Sequence, residues 1–323
     1  MIIGMKITNF LSAEEQKELR TGSNFRGTMG FIVSWGMIAG VSVLYVLFPN
    51  IATLLLLLWI FSNRQMGLGV LLHECAHRSW FRTPWLNDVA GHWFAGMWVL
   101  VPLPFYRKYH FIHHTRTGTL DDPDLDNIKS YPVTRQSFRR KMWRDFTGRS
   151  GLKSFIGLML YVNTGRPGNA ISMGVQKQEV SREEVVHATL VNYSQLLLVH
   201  GSAAMLLGYF GHLELLLWWW VAFLFGYPFI LRIRQIAEHA AMPALASEDV
   251  RDTTRTTIAR WWERLIFAPH GVNYHCEHHA LPTVPGYHLP RMHQLLKQRG
   301  FYQHHPDALV NGYPDVIRKA MSA

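Results

Sequence analysis

The sequence predicts an all-α integral-membrane protein, with four transmembrane helices in two hairpins, an interfacial helix, and a helical cap on the cytoplasmic side. Three observations predict it. Of the 323 residues, 49% are hydrophobic and only 17% are charged, against roughly 25% charged in a typical soluble domain. The apolar residues concentrate in runs long enough to cross a hydrocarbon core of about 30 Å at about 1.5 Å per residue. Short clusters of histidine follow those runs, and all of them must share one face of the bilayer to meet.

Met1 to Arg26 is mixed polar and carries Glu14, Glu15 and Glu18 ahead of any long apolar run, unlike a cleaved signal. It reads as a cytoplasmic N-terminal segment. Residues 27–323 contain no linker, low-complexity tract or internal repeat and read as one domain. Gly27 to Phe48 has no charged residue over 22 positions and forms the first span. Pro49-Asn50 turns the chain, and Ile51 to Leu72 returns as the second span, whose Asn63, Arg64 and Gln65 predict that its last turns leave the lipid. Val89 to Tyr106 is also uncharged and nearly long enough to cross. Crossing there would part the clusters at His73 and His110, so an interfacial or re-entrant helix closed by Pro102 and Pro104 is expected. Val186 to Phe210 and Leu215 to Leu231 form the second hairpin, joined by Gly211 to Glu214. Neither outer connection contains Lys or Arg, while Arg107 to Arg182 is rich in both, so the positive-inside rule puts the long segments in the cytoplasm. Cys75 and Cys276 are too few for a disulfide framework and fit a reducing compartment.

The histidine groups are His73-Glu-Cys-Ala-His77, His110-Phe-Ile-His113-His114 and His275-Cys-Glu-His278-His279. On a helix, positions i, i+3 and i+4 share a face with side chains about 5 to 6 Å apart, so each group can aim two or three imidazoles at one point. Chance is a poor account. With 18 histidines in 323 residues, an HxxHH pattern arises roughly 0.06 times per chain, and two copies with a probability on the order of 0.002. A structural zinc site closes with four ligands, commonly including cysteine. Here eight histidines cluster, and helical spacing turns Cys75 about 200° from His73 and Cys276 about 100° from His275. Eight or nine imidazoles suit two metals, and neutral imidazole suits iron, copper, nickel or zinc. The ninth is His239 in Arg232-Ile-Arg-Gln-Ile-Ala-Glu-His239, where the fourth span should emerge. A lone histidine is usually structural, but two hairpins return all four candidate segments to the same face. Gln235, one turn earlier, is placed to reach the same metal directly or through water.

HECAH after the second span, HFIHH before a long loop, EH after the fourth and NYHCEHH near the C-terminus resemble the three-box pattern of membrane fatty-acid desaturases. The resemblance covers roughly Leu71 to His293. The stretch from Asn273 to Pro290 looks like the third-box region of front-end, sphingolipid and related bacterial lipid desaturases. It is less similar to the acyl-CoA Δ9 branch, whose first box normally has one more intervening residue. The resemblance implies metal ligation by His73 and His77, by His110, His113 and His114, by His239, and by His275, His278 and His279. In one branch an asparagine four residues before the extra histidine contributes through water; Gln235 stands there in this chain. The resemblance further implies two iron ions, O2 as co-substrate, an acyl-lipid substrate in the membrane, and introduction of a C=C bond into an unactivated chain. No fused cytochrome b5 signature is visible, which implies a separate donor of ferredoxin or cytochrome b5 type. Lipid, alkane or carotenoid hydroxylation or ketolation is the competing reading. A metal transporter would instead need polar ligands along a path through the bilayer.

The net charge of +10 does not indicate nucleic acid, because the basic residues are scattered and no nucleic-acid module is present. It fits cytoplasmic loops, and it suits an acidic electron donor or anionic lipid heads. Glu74, Glu238 and Glu277 adjoin candidate ligands, and Glu238 is the preferred candidate for orienting an imidazole. Asp121 to Asp126 reads as loop and cap chemistry, with a supporting role near the site and no metal of its own. His92, His187, His200 and His212 read as structural or interfacial, and His304-His305 as part of a polar tail. His270, His288 and His293 break the ligand register, and none is assigned. Trp93, Phe94, Met97 and Trp98 suit an acyl channel, although such a stripe is more often packing. Trp218, Trp219 and Trp220 read as belt or lipid-facing residues, and Leu289 to Leu296 as an amphipathic helix against the membrane surface.

Overall fold

The computed structural model describes residues 6–166 and 180–322. The first five residues of the expected N-terminal segment, and residues 167–179 of the basic stretch, lie outside the described residues. Among the described residues the regular structure is helical apart from two short parallel strand pairs, Val133–Thr134 with Met321–Ser322 and Thr256–Thr257 with Leu309–Val310.

Four helices are long and apolar enough to cross a membrane: Asn24–Leu47, Ile51–Ala76, Arg182–Tyr209 and Glu214–His239. Local chemistry explains their ends. Ser23 accepts from the backbone N–H of Arg26 to start the first, and Asn50 with Thr53 forms a capping box that starts the second, just after Pro49. Ser181 and Glu184 form the same box at the third, which therefore begins four residues before the predicted Val186. The fourth is broken at Gly226 into Glu214–Phe225 and Tyr227–His239, with Pro228 in the first turn of the second piece.

The second helix is the axis of the fold. It packs on the first and fourth helices and on Pro84–Trp93 and Leu103–Arg116. It runs past Asn63, Arg64 and Gln65 to Ala76 without interruption. These residues are buried by protein: Asn63 donates to the carbonyls of Leu265 and Ile266, at 2.6 and 2.8 Å, and Gln65 to that of Trp219 at 2.8 Å. Their polarity is thus met by partners inside the protein. The first helix closes against the turn after Ala76, where Trp80 donates to the Gly27 carbonyl at 2.9 Å. A Cβ at Gly30 would lie 2.4 Å from the Trp80 ring, so only glycine permits this approach. The third helix, by contrast, has only Leu196 buried.

Three other expectations change. Val89 to Tyr106 is not one helix but the end of Pro84–Trp93, a 3₁₀ turn at Gly96–Val99 and the start of Leu103–Arg116. Pro102 and Pro104 open the last of these instead of closing the segment, because proline suits a first turn, whose N–H groups need no partner within the helix. Trp219 is 4% exposed and meets Phe61 edge to face at 5.4 Å, so it belongs to the core. The amphipathic helix, Leu289–Gln298, places Leu289, Met292 and Leu296 against Leu11, Leu19 and Phe301, leaving no apolar face for a membrane surface. Glu18–Arg291 and Glu15–Arg299 ion pairs join it to the N-terminal helix Ala13–Leu19. Met97 is sealed in a packed cluster with Leu158, Val162 and Phe223, so that part of the aromatic stripe is packing.

Candidate metal centre

The second helix ends in the first cluster, with His73 on its last turn and His77 as its C-cap. A helix end exposes unsatisfied carbonyls. Arg107 meets them, donating from Nε to Ala76 at 2.9 Å and from Nη2 to Cys75 at 3.1 Å, while pairing with Asp88 at 2.6 Å. Arg107 sits on Leu103–Arg116, the helix of His110, His113 and His114. One guanidinium thereby sets the first cluster against the second. His239 ends the fourth helix, and His275, His278 and His279 occupy the short helix His275–Ala280.

All nine predicted histidines converge, and they do so on two points. His73, His77, His110, His114 and His278 form one group, and His113, His239, His275 and His279 the other; within each, one nitrogen per ring lies within 4.8 Å of all the rest. Nε2 of His114 is 2.9 Å from that of His110 and 3.0 Å from that of His278. Nε2 of His239 is 3.2 Å from that of His113 and 2.8 Å from that of His275. Nitrogens about 2.1 Å from one ion stand roughly 3 Å apart when adjacent and about 4.2 Å when opposite, so these four short separations match neighbouring positions around a single ion in each group. Nε2 of His73, His77 and His279 is buried with no hydrogen-bond partner, a costly state unless a metal uses the lone pair. The expectation that each HxxHH box aims at one point is corrected. The i and i+4 rings go to one group and the i+3 ring to the other.

The outward nitrogens are held. His113 Nδ1 lies 2.9 Å from Asp122 Oδ1, His239 Nδ1 3.0 Å from the Thr253 carbonyl, and His73 Nδ1 3.2 Å from Glu74. Glu238 reaches His275 Nδ1 at 3.5 Å and Arg234 Nε at 2.7 Å. Such partners orient a ligating ring and direct its other nitrogen inward. Glu277 does not touch a candidate ligand ring; it binds Thr256, His293 and Tyr302. Gln235 is half-buried and lines a cavity of about 40 Å³ with His113, Glu238, His239 and His275. Asp122 and Thr253 are the strongest partners, and Thr253 has no sequence signal because its carbonyl does the work. Asp122 is in the run that sequence reading gave a supporting role.

Burial, followed by neighbouring imidazoles, pushes the pKa values of His110, His114, His275, His278 and His279 well below 6.5. His77 falls to about 4 through burial and the Arg107 charge. Neutral rings are the form that binds metal. His113 is raised instead, because Asp122 and Asp124 outweigh the burial that opposes its charge.

The unassigned histidines have other partners. His92 pairs with Gln195 at 3.0 Å, His200 with the Met97 carbonyl at 3.1 Å, His212 with Glu214 at 3.2 Å, His270 with Ser34 at 2.9 Å and His288 with the Leu19 carbonyl at 2.9 Å. His305 lies beside Asp249 and Asp252. There Arg251 already pairs with both Asp249 oxygens, at 2.8 and 2.5 Å, meeting that charge from within the protein.

A family model described as fatty acid desaturase matches residues 46–308. Among curated relatives, the chain is 25% identical over 257 residues to the sn-1 oleoyl-lipid 12-desaturase of Arthrospira platensis, covering 73% of this chain and 66% of that protein. It is 26% identical over 262 residues to the protein of the same description from Anabaena variabilis, covering 78% and 71%. It is 24% identical over 253 residues to the sn-1 acyl-lipid omega-3 desaturase (ferredoxin) of Nostoc sp. (strain 36), covering 74% and 66%. The chain spans about two thirds of the length of these relatives.

Proposed function

The chain belongs to the fatty acid desaturase family, and from that premise we propose that it introduces a double bond into the acyl chain of a membrane lipid. The observation that carries this reading is the convergence of nine buried or half-buried histidines into a group of five and a group of four. Each group accommodates one ion, and the ligand set is His73, His77, His110, His114 and His278 for one, with His113, His239, His275 and His279 for the other. Gln235 is placed to complete the four-histidine group. Bound iron supplies O2-dependent removal of hydrogen from an unactivated alkyl chain, which no acid-base side chain can perform.

The protein's own part is to hold and orient. Asp122, Thr253, Glu74 and Glu238 keep the rings turned inward, and burial keeps most of them neutral. Per double bond the balance is one O2, two electrons and two protons in, and two waters out. The electrons come from a separate donor, a description matched by the relative named with ferredoxin. The four apolar helices form two hairpins, and residues 27–323 act as one domain, with 1–26 as its cytoplasmic lead-in. The histidine centre sits in a helical cap on the cytoplasmic side, supported by the basic residues between Arg107 and Arg182.

The test is expression in a heterologous host, with mass-spectrometric localisation of new unsaturation and with His113→Ala in parallel. New double bonds that vanish with the substitution are expected. Added oxygen in place of unsaturation, or product unchanged in His113→Ala, would overturn the proposal.

A further inference from the structure

Beside the histidine centre lies a second cavity, of about 350 Å³, whose lining includes Lys141, Arg144, Arg149, Lys153 and Arg232, with Asp126 as its one carboxylate. Its two nearby carboxylates are already engaged. Asp145 is held by Arg232 at 2.5 and 2.8 Å, and Asp126 by Lys129 at 2.5 Å. Arg144 and Arg149 have no acidic partner among the described residues. Lys141 stands over the Tyr131 ring at 5.3 Å, and burial, then Arg232 and Arg144, push its pKa down. The cleft is therefore a concave cluster of crowded positive charge that an anion would relieve.

Its position says which anion. Pro228 and Leu231 of the fourth apolar helix form one wall, just past the break at Gly226. The helix Arg149–Gly157 lies directly on that helix, since a Cβ at Gly151 would fall 2.0 Å from the Leu224 carbonyl. Trp143, which shares a neighbouring surface hollow with Arg144 and Arg149, is exposed, as are Phe146 and Leu152, close in sequence to the basic residues of the cleft. Apolar and aromatic side chains beside basic ones mark the depth of lipid headgroups. A pocket of this size admits a small anionic group and not the face of a protein. Asn127 and Gln235 line both this cleft and the small cavity beside His113, His239 and His275.

We propose that this cleft binds the phosphate-bearing headgroup of an anionic phospholipid and so selects such lipids as acyl carriers for the histidine centre. The inference rests on the reading of the chain as an acyl-lipid desaturase. Guanidinium groups suit it, because they meet phosphate oxygens two at a time.

Calorimetry on the full-length, metal-loaded protein in neutral detergent tests it, with short-chain phosphatidylglycerol, short-chain phosphatidylcholine and inorganic phosphate as probes. Roughly five-fold tighter binding is expected from each guanidinium without an acidic partner, hence about 25-fold in favour of phosphatidylglycerol over phosphatidylcholine. The double variant Arg144→Gln/Arg149→Gln should bring that preference to within about two-fold. Arg135→Gln/Arg139→Gln, an equal charge loss outside the cleft, should keep it. No preference in the unsubstituted protein, inorganic phosphate binding as tightly as the lipid, or a variant that weakens only the binding of an acidic redox protein would each overturn the proposal. A preference that persists where no double bond forms supports the cleft and counts against the desaturase reading alone.

Discussion

Replacing Asp122 with asparagine tests whether the acidic run after the second cluster builds the metal centre. The Asp122 side chain is fully buried and accepts three hydrogen bonds, from Asp124 N at 2.9 Å, from Gly118 N at 2.7 Å and from His113 Nδ1 at 2.9 Å. Asparagine preserves its shape and supplies one acceptor where the carboxylate supplied two. With the amide oxygen toward Gly118, the NH2 faces His113 and favours the tautomer protonated on Nε2, the atom that faces His239. With the oxygen toward His113, the NH2 confronts the Gly118 N–H. Either arrangement leaves buried donors opposed, at a cost of about 1–3 kcal/mol. The expected loss of metal affinity is therefore about 10- to 100-fold. Purified protein titrated with a graded chelator series, with bound metal counted by mass spectrometry, reads it out. Exposed Asp121→Asn serves as the control. Metal retention within about two-fold of the unsubstituted protein would refute the orienting role of Asp122.

Further outcomes follow from other contacts. His239→Ala should lower bound iron by at least one equivalent per chain and abolish detectable product, whereas His92→Ala, which loses contacts to Gln195 and to the Leu103 N–H and none to the nine histidines, should leave iron content unchanged; equal effects would contradict the ligand assignment. Arg107→Ala removes two hydrogen bonds to the end of the second helix and one to Asp88 and should lower stability in detergent by about 2–3 kcal/mol. Full rescue by Arg107→Lys would contradict this, because an ammonium cannot span the same fork of acceptors. Burial and the Arg64 charge push His270 from 6.5 to about 3, so its neutral form stabilises the fold fully above pH 6.5, and that contribution is lost as the pH falls from 6.5 toward 3. His270→Asn should therefore flatten the acid limb of the stability curve by up to about 1.4 kcal/mol per pH unit. An identical slope in both proteins would exclude His270 as a source.

The long helices were legible because a bilayer imposes length and apolarity directly on sequence, and each predicted span overlaps an observed helix. Their ends were less so. Ser181 with Glu184 lengthened the third helix, and the internal partners of Asn63 and Gln65 let the second continue to Ala76. Those partners, Trp219 and Leu265, are far away in the chain, and periodicity does not encode them. The nine histidines were legible because helical spacing and metal geometry coincide. Their division into five and four was not, since it depends on how Leu103–Arg116 and His275–Ala280 cross. Thr253 was invisible for a simpler reason: any residue there offers the same carbonyl. The helix Leu289–Gln298 misled because amphipathicity records that a face is buried without naming what buries it.

The division of the boxes also bears on how the centre fills. Leu103–Arg116 lends two rings to one group and one to the other, and His275–Ala280 does the reverse. An ion held in either group, as proposed above, would therefore touch both helices. A shift of either helix would then alter both groups at once. The spacing between the two groups is then a property of helix pitch and crossing angle rather than of any single side chain.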